Sequence, residues 1–210
     1  MSLVLHAYGP SVYCQIVRMA LAEIGLRPTL VEIDPFDGTD RNPHPFGLVP
    51  VLKDGASEIY ETAAILHYLD ARYGGAAWIG RSAIEQARIR QVQAIADNHA
   101  YWPLVRQVFA HAVFRPAHGE DADEETIAEG LAAAGTVLGA LDGIAAEGEV
   151  LTGERLTLAD LHLAPMIGFF ATASQGVEML GRFPALASWF AQMCLRPSFR
   201  DTCPPVIELP

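Results

Sequence analysis

A chain of 210 residues, 51% of them hydrophobic, can bury a sizeable core as one large or two small domains. Its net charge of −11, with a single lysine at Lys53, excludes the clustered basic footprint of a nucleic-acid binder. No polybasic segment, no apolar run of about 18 residues and no basic-then-apolar leader stands out, so neither a membrane span nor a signal peptide is expected. Three cysteines, Cys14, Cys194 and Cys203, suit reduced thiols in the cytoplasm better than a disulfide framework. No Cys or His pair has zinc spacing, so no metal site is expected. The scattered histidines read as structural or exposed.

Leu3 to Ala7 is a short apolar strand, and Tyr8-Gly9-Pro10-Ser11 is turn chemistry. A helix follows from Val12, with Ile16, Met19, Ala20, Leu21 and Ile24 apolar and Gly25 as its stop. Thr29 to Ile33 reads as a second strand, which makes a parallel βαβ unit. Pro35 to Pro45 is a loop. Val49-Pro50-Val51-Leu52 is a strand broken by a proline, followed by the turn Lys53-Asp54-Gly55 and a short strand, Glu58 to Tyr60.

Glu61 and Thr62 then stand directly before Ala63, Ile65, Leu66, Tyr68 and Leu69, which recur at helical spacing. They are expected in the first turn of a helix, with Thr62 able to cap it. Backbone N–H groups there have no intrahelical partner and attract an anion.

The composition changes at Gly74-Gly75-Ala76-Ala77, and from there the chain reads as helical. A long helix is expected from Ser82 toward Phe114, kinked at Pro103. A polar loop spans Arg115 to Asp123, and a second helix runs from about Glu124 to Ala146. A third starts at Thr157, where Thr157 and Asp160 have the spacing of a capping box before the apolar run Leu161 to Phe170. A last helix spans roughly Phe183 to Leu195.

Four stretches in this order resemble the glutathione transferase superfamily: YGPSVYCQIVRMALAEIGL, HPFGLVPVL, EIYETAAILHYLDARYG and LTGERLTLADLHLAPMI. The resemblance covers nearly the whole chain and is to the cytosolic, bacterial-like kind with a serine-type active site. It implies an α+β thioredoxin-like N-terminal domain over residues 1–75, a linker over 76–81 and an all-α C-terminal domain over 82–210. It also implies a cis Val49–Pro50 bond, a homodimer and a role in detoxification. The implied activity joins the glutathione thiolate to a small hydrophobic electrophile. Glutathione is then a co-substrate, and no further cofactor, metal, nucleic acid or membrane is expected. The alternatives are a binding or regulatory module without turnover, and a glutathione-dependent thiol transferase or isomerase.

The chemistry needs a thiolate near neutral pH. A thiol of reference pKa about 8.5 must shift by roughly two units, about 2.7 kcal/mol of differential stabilisation. A helix N-terminus supplies about 0.3–1 kcal/mol, and a hydroxyl bonded to a charged group about 1.5–3 kcal/mol. A hydroxyl at the start of the first helix is therefore wanted. Three residues compete for the role. Ser11 falls where the resemblance puts the catalytic serine, and plain helix capping is its other reading. Cys14 lies three residues on, and a thiol near a helix N-terminus is expected to have a lowered pKa. Tyr8 ends the first strand, near the family's tyrosine position but one residue off.

By the same resemblance, the backbone of Val49, before Pro50, pairs with the cysteinyl part of glutathione. Glu61 and Thr62 hold its γ-glutamyl end. Leu48 departs from the Gln or Lys often found there, and the loop Pro35 to Pro43 looks short, with Arg41 a weak candidate for the glycyl carboxylate. Pro10, Tyr13, Tyr101, Val105 and Phe109 are candidate walls for the electrophile, with plain helix core as the other reading of Val105 and Phe109.

Overall fold

The computed structural model describes residues 3–36 and 42–205. The chain divides into two compact units, Met1–Ala77 and Trp78–Pro210.

The first unit is α+β, with a four-stranded sheet in the order β2-β1-β3-β4. Strand β1 (Leu3–Ala7) leads into helix α1 (Val12–Glu23), and β2 (Thr29–Glu32) returns parallel to β1. Strands β3 (Val51–Asp54) and β4 (Ser57–Tyr60) form a hairpin, with β3 antiparallel to β1. Gly25 takes φ 68 just beyond α1, a left-handed position that a side chain resists and that ends the helix. Helix α2 (Thr62–Leu69) runs on through one wider, π-type stretch, Asp70–Gly74. Leu5 and Leu52 from the strands, Ile16 and Met19 from α1, and Ile65 and Leu66 from α2 have no exposed surface. The loop expected from Pro35 to Pro45 is described only at its ends, and Arg41 lies outside the described residues.

In the second unit all the regular elements among the described residues are helices. Helix α3 (Ala83–Ile95) is capped by Ser82, whose hydroxyl oxygen accepts the Glu85 N–H at 3.1 Å. Where a single helix kinked at Pro103 was expected, α3 passes into a π-type stretch, Ala96–Phe114, that contains the proline. Pro103 has no N–H to give, and its ring crowds the carbonyl four residues back, so an ordinary ladder cannot pass through it. One short turn, α4 (Arg115–Ala117), closes the stretch.

Helix α5 (Glu124–Ala146) starts on the Asp123 cap. By length and composition it is apolar enough to cross a membrane, contrary to the sequence reading. Its many alanines raise the average without forming an unbroken greasy run. It packs as a core-facing helix, with Ile127, Ala134, Leu138 and Leu141 buried. A Cβ on Gly130 would come within 2.7 Å of Gln107 and 3.0 Å of the Pro103 carbonyl, so glycine lets α5 approach the π-type stretch.

Helix α6 (Leu158–Phe170) is buried at every position. The capping box is present, with Asp160 accepting the Thr157 N–H at 2.7 Å and the Thr157 hydroxyl at 2.5 Å. The sequence did not reveal a third donor, Trp189 Nε1, at 2.7 Å from Asp160 Oδ1. It also gave no sign of His162, whose Nε2 lies 2.7 Å from Asp97 Oδ1 and ties α6 to the π-type stretch. Three short helices were not foreseen: α4, at the start of the loop expected from Arg115, and α7 (Ser174–Leu180) and α9 (Pro197–Arg200), on either side of α8 (Pro184–Cys194).

Candidate active site

Strand register brings three segments of the first unit together. His6 of β1 faces Val51 of β3, and Val51 faces Tyr60 of β4. One residue further along lie Ala7, Pro50 and Glu61. The turn Tyr8–Ser11, the cis Val49–Pro50 bond and the start of α2 therefore share one end of the sheet.

The turn is held firmly. The Ser11 N–H donates to the Tyr8 carbonyl at 3.1 Å. The Gly9 N–H donates to Glu32 Oε1 at 2.8 Å, and the Gly9 carbonyl accepts from the Arg18 guanidinium at 3.1 Å. Sequence reading missed both clamps, because Glu32 and Arg18 look like ordinary charges on a strand and a helix. Ser11 is the cap of α1, and its Oγ accepts the Cys14 N–H at 3.3 Å. A hydroxyl used as an acceptor still has its proton to donate.

Cys14 lies on the inner side of this turn, fully buried. Its sulfur accepts the Tyr8 N–H at 3.3 Å. Burial pushes the thiol up, against smaller downward pulls from the Ser11 hydroxyl and the Tyr8 N–H. The lowered pKa expected of it is thus reversed, since removal from water outweighs the helix end. Tyr8 sits edge-on to Phe36, with centroids 6.1 Å apart. Burial, then Asp34 and Glu32, raise its phenol, which holds the proton more tightly.

Helix α2 begins differently from expectation. Glu61, and not Thr62, occupies the cap, and it makes no side-chain cap bond. Thr62 is the first helical residue and is buried. Glu61 has φ 68, a strained value for a residue with a side chain, and its carboxylate is 63% exposed. His44, buried in the loop before Val49, faces this carboxylate, with Nε2 3.9 Å from Oε1. Leu48 is exposed, and its carbonyl accepts from Asn42 Nδ2 at 3.1 Å.

Among the remaining candidates, Pro10 and Tyr13 are half-buried in the first unit. Tyr101, Val105 and Phe109 belong to the second. Val105 and Phe109 are buried, and the Phe109 ring packs 4.7 Å from that of Phe169, as core residues do. Among the described residues no group of three metal-ligating side chains occurs.

Comparison with known proteins agrees in both units. The family model "Glutathione S-transferase, N-terminal domain" matches residues 5–77, and "Glutathione S-transferase, C-terminal domain" matches residues 101–197. A glutathione S-transferase of Silene vulgaris is 28% identical over 212 aligned residues, covering 96% of this chain and 97% of its own. A solved glutathione S-transferase-I bound with lactoylglutathione superposes with a TM-score of 0.83 at 22% identity, covering 96% of this chain and 98% of its own. Glutathione S-transferase I from maize, solved with an atrazine glutathione conjugate, gives 0.81 at 22% identity and covers 96% of each chain.

Proposed function

The chain belongs to the glutathione S-transferase family, and from that premise we propose that it conjugates the glutathione thiolate to a small hydrophobic electrophile through a serine-type site at Ser11. The observation that carries this reading is the shared sheet end, where the Ser11 turn, Val49–Pro50 and Glu61–Thr62 meet. The Ser11 hydroxyl donates a hydrogen bond to the glutathione thiolate, and the nearby N–H groups at the start of α1 favour the anion. The backbone of Val49 pairs with the cysteinyl peptide, as an added strand does. Glu61 takes the γ-glutamyl ammonium, and the start of α2 takes its carboxylate. The maize relative's atrazine conjugate is an example of such a product on a related protein.

The related functions compete unequally. Thiol transfer through Cys14 is disfavoured by its burial and raised pKa. A module without turnover would fit the substitution at Leu48. A glutathione-affinity column followed by conjugation of a generic aryl halide separates the three. Retention with conjugation is the expected result. Failure to bind would favour the module, and binding without conjugation would favour the other glutathione chemistries. A homodimer is carried over from the family. The three free cysteines suit a reducing, cytoplasmic setting.

A further inference from the structure

We propose that His44 is a positioning residue for glutathione, using its imidazole N–H to orient the Glu61 carboxylate toward the γ-glutamyl ammonium. The inference rests on the reading of Glu61 given above. His44 is buried, although the loop residues after it, from Pro45 to Leu48, are exposed. Its Nδ1 accepts the Phe46 N–H at 3.1 Å. A ring nitrogen that accepts a hydrogen bond carries no proton, so the neutral ring bears its proton on Nε2. Nε2 is the atom that faces Glu61 Oε1, at 3.9 Å. At that distance the N–H attracts the carboxylate without tying it up in a closed hydrogen bond.

The ring is kept neutral. Burial lowers its pKa, and the nearby Glu61 raises it by less. A cation would need a second proton on Nδ1, the nitrogen already facing the Phe46 N–H. A neutral donor orients Glu61 and leaves its negative charge available to the ammonium, which a cationic neighbour would not. The rings of Tyr60 and Phe46, with centroids at 5.2 and 5.8 Å, hold the imidazole in place. The backbone N–H of His44 donates to Asn42 Oδ1 at 2.9 Å, while Asn42 Nδ2 donates to the Leu48 carbonyl. One residue thus joins the loop that leads into Val49 to the strained cap residue of the glutathione-facing helix.

Kinetics in glutathione on the full chain test this. His44→Asn supplies an amide oxygen for the Phe46 N–H, as Asn does in such turns, but presents nothing to Glu61. It should raise KM for glutathione about two- to fivefold, the scale of a partly exposed polar pair, with kcat at saturation unchanged at a temperature where its melting curve shows the variant folded. In a Glu61→Gln background, His44→Asn should have no further effect. An unchanged KM in His44→Asn while Glu61→Gln raises it overturns this inference alone. So does an equal rise in both backgrounds. An unchanged KM in Glu61→Gln overturns the underlying reading of Glu61 as well. Nitrogen NMR of the wild-type ring is an independent check: the Nε2–H tautomer is expected, and the Nδ1–H tautomer refutes the proposal.

Discussion

Ser11 accepts the Cys14 N–H, and that cap uses only its oxygen, so it is compatible with the thiolate-stabilising role proposed for its hydroxyl. Ser11→Ala should therefore raise the pKa of bound glutathione by about one unit or more, at about 1.36 kcal/mol per unit. Spectroscopic titration of the bound thiolate reads this directly. Conjugation should fall while glutathione affinity holds, because the other contacts remain. Full activity in Ser11→Ala with loss in Cys14→Ala would reverse the assignment. Glu61 is the other residue at which structure and chemistry part company. A backbone strained at φ 68 costs of order 1–3 kcal/mol, and glycine relieves it. Glu61→Gly should thus raise the melting temperature while weakening glutathione binding, as scanning and titration calorimetry would show together. A variant that binds as the wild type does would mean that the strain serves no ligand.

Elements are joined by a few acceptors that each serve several donors. Asp160 takes two bonds from Thr157 and one from Trp189, so it fixes both the start of α6 and the flank of α8. Asp160→Ala removes a cap worth about 0.5–2 kcal/mol and strands a buried indole N–H at a further 1–3 kcal/mol or so. Denaturant melts should show a loss of about 2–4 kcal/mol. The kinetic constants of the folded fraction should be unchanged; loss of activity at full stability would instead make Asp160 a chemical group. In the first unit Asp54 plays the corresponding part, since its carboxylate accepts from Tyr68 at 2.8 Å and from Tyr73. The tyrosine bonds, Tyr73 first, hold its pKa below the ordinary value. A depressed carboxyl stabilises the fold above its unfolded pKa of about 3.9, and that contribution is lost as pH falls through the lower folded value. Asp54→Asn should accordingly be less stable at neutral pH and show a shallower loss of stability below about pH 4. An acid limb identical to the wild type's would refute it.

The whole molecule offers a test independent of any single contact. A ligand that binds only the folded protein stabilises it by mass action, by about 2.7 kcal/mol at a hundred times its dissociation constant. Rising glutathione should raise the melting temperature steadily, and methionine in its place should not. Light scattering of the intact protein should give twice the 22.7 kDa chain mass if the dimer carried over from the family forms. A mass of one chain would overturn that step and leave the active-site reading standing, because the candidate glutathione-binding residues all come from the first unit.

Much of this protein was legible in sequence because its signals are local. The βαβ unit, Gly25 as a helix stop, the hairpin and the Thr157–Asp160 box each lie within a few residues of their cause. Ser11, Val49 and Glu61 were legible as positions in quoted motifs. Tertiary structure decided what depends on partners distant in the chain. Burial turned Cys14 from an expected low-pKa thiol into a raised one. The clamps of Glu32 and Arg18 on Gly9, and of Trp189 on Asp160, join residues that no spacing rule connects. His44 faces Glu61 only because β3 and β4 pair in register and carry the ends of two loops to one edge. Periodicity and capping report the chain's neighbours in sequence, whereas solvent exclusion and hydrogen-bond partners are properties of the assembled fold.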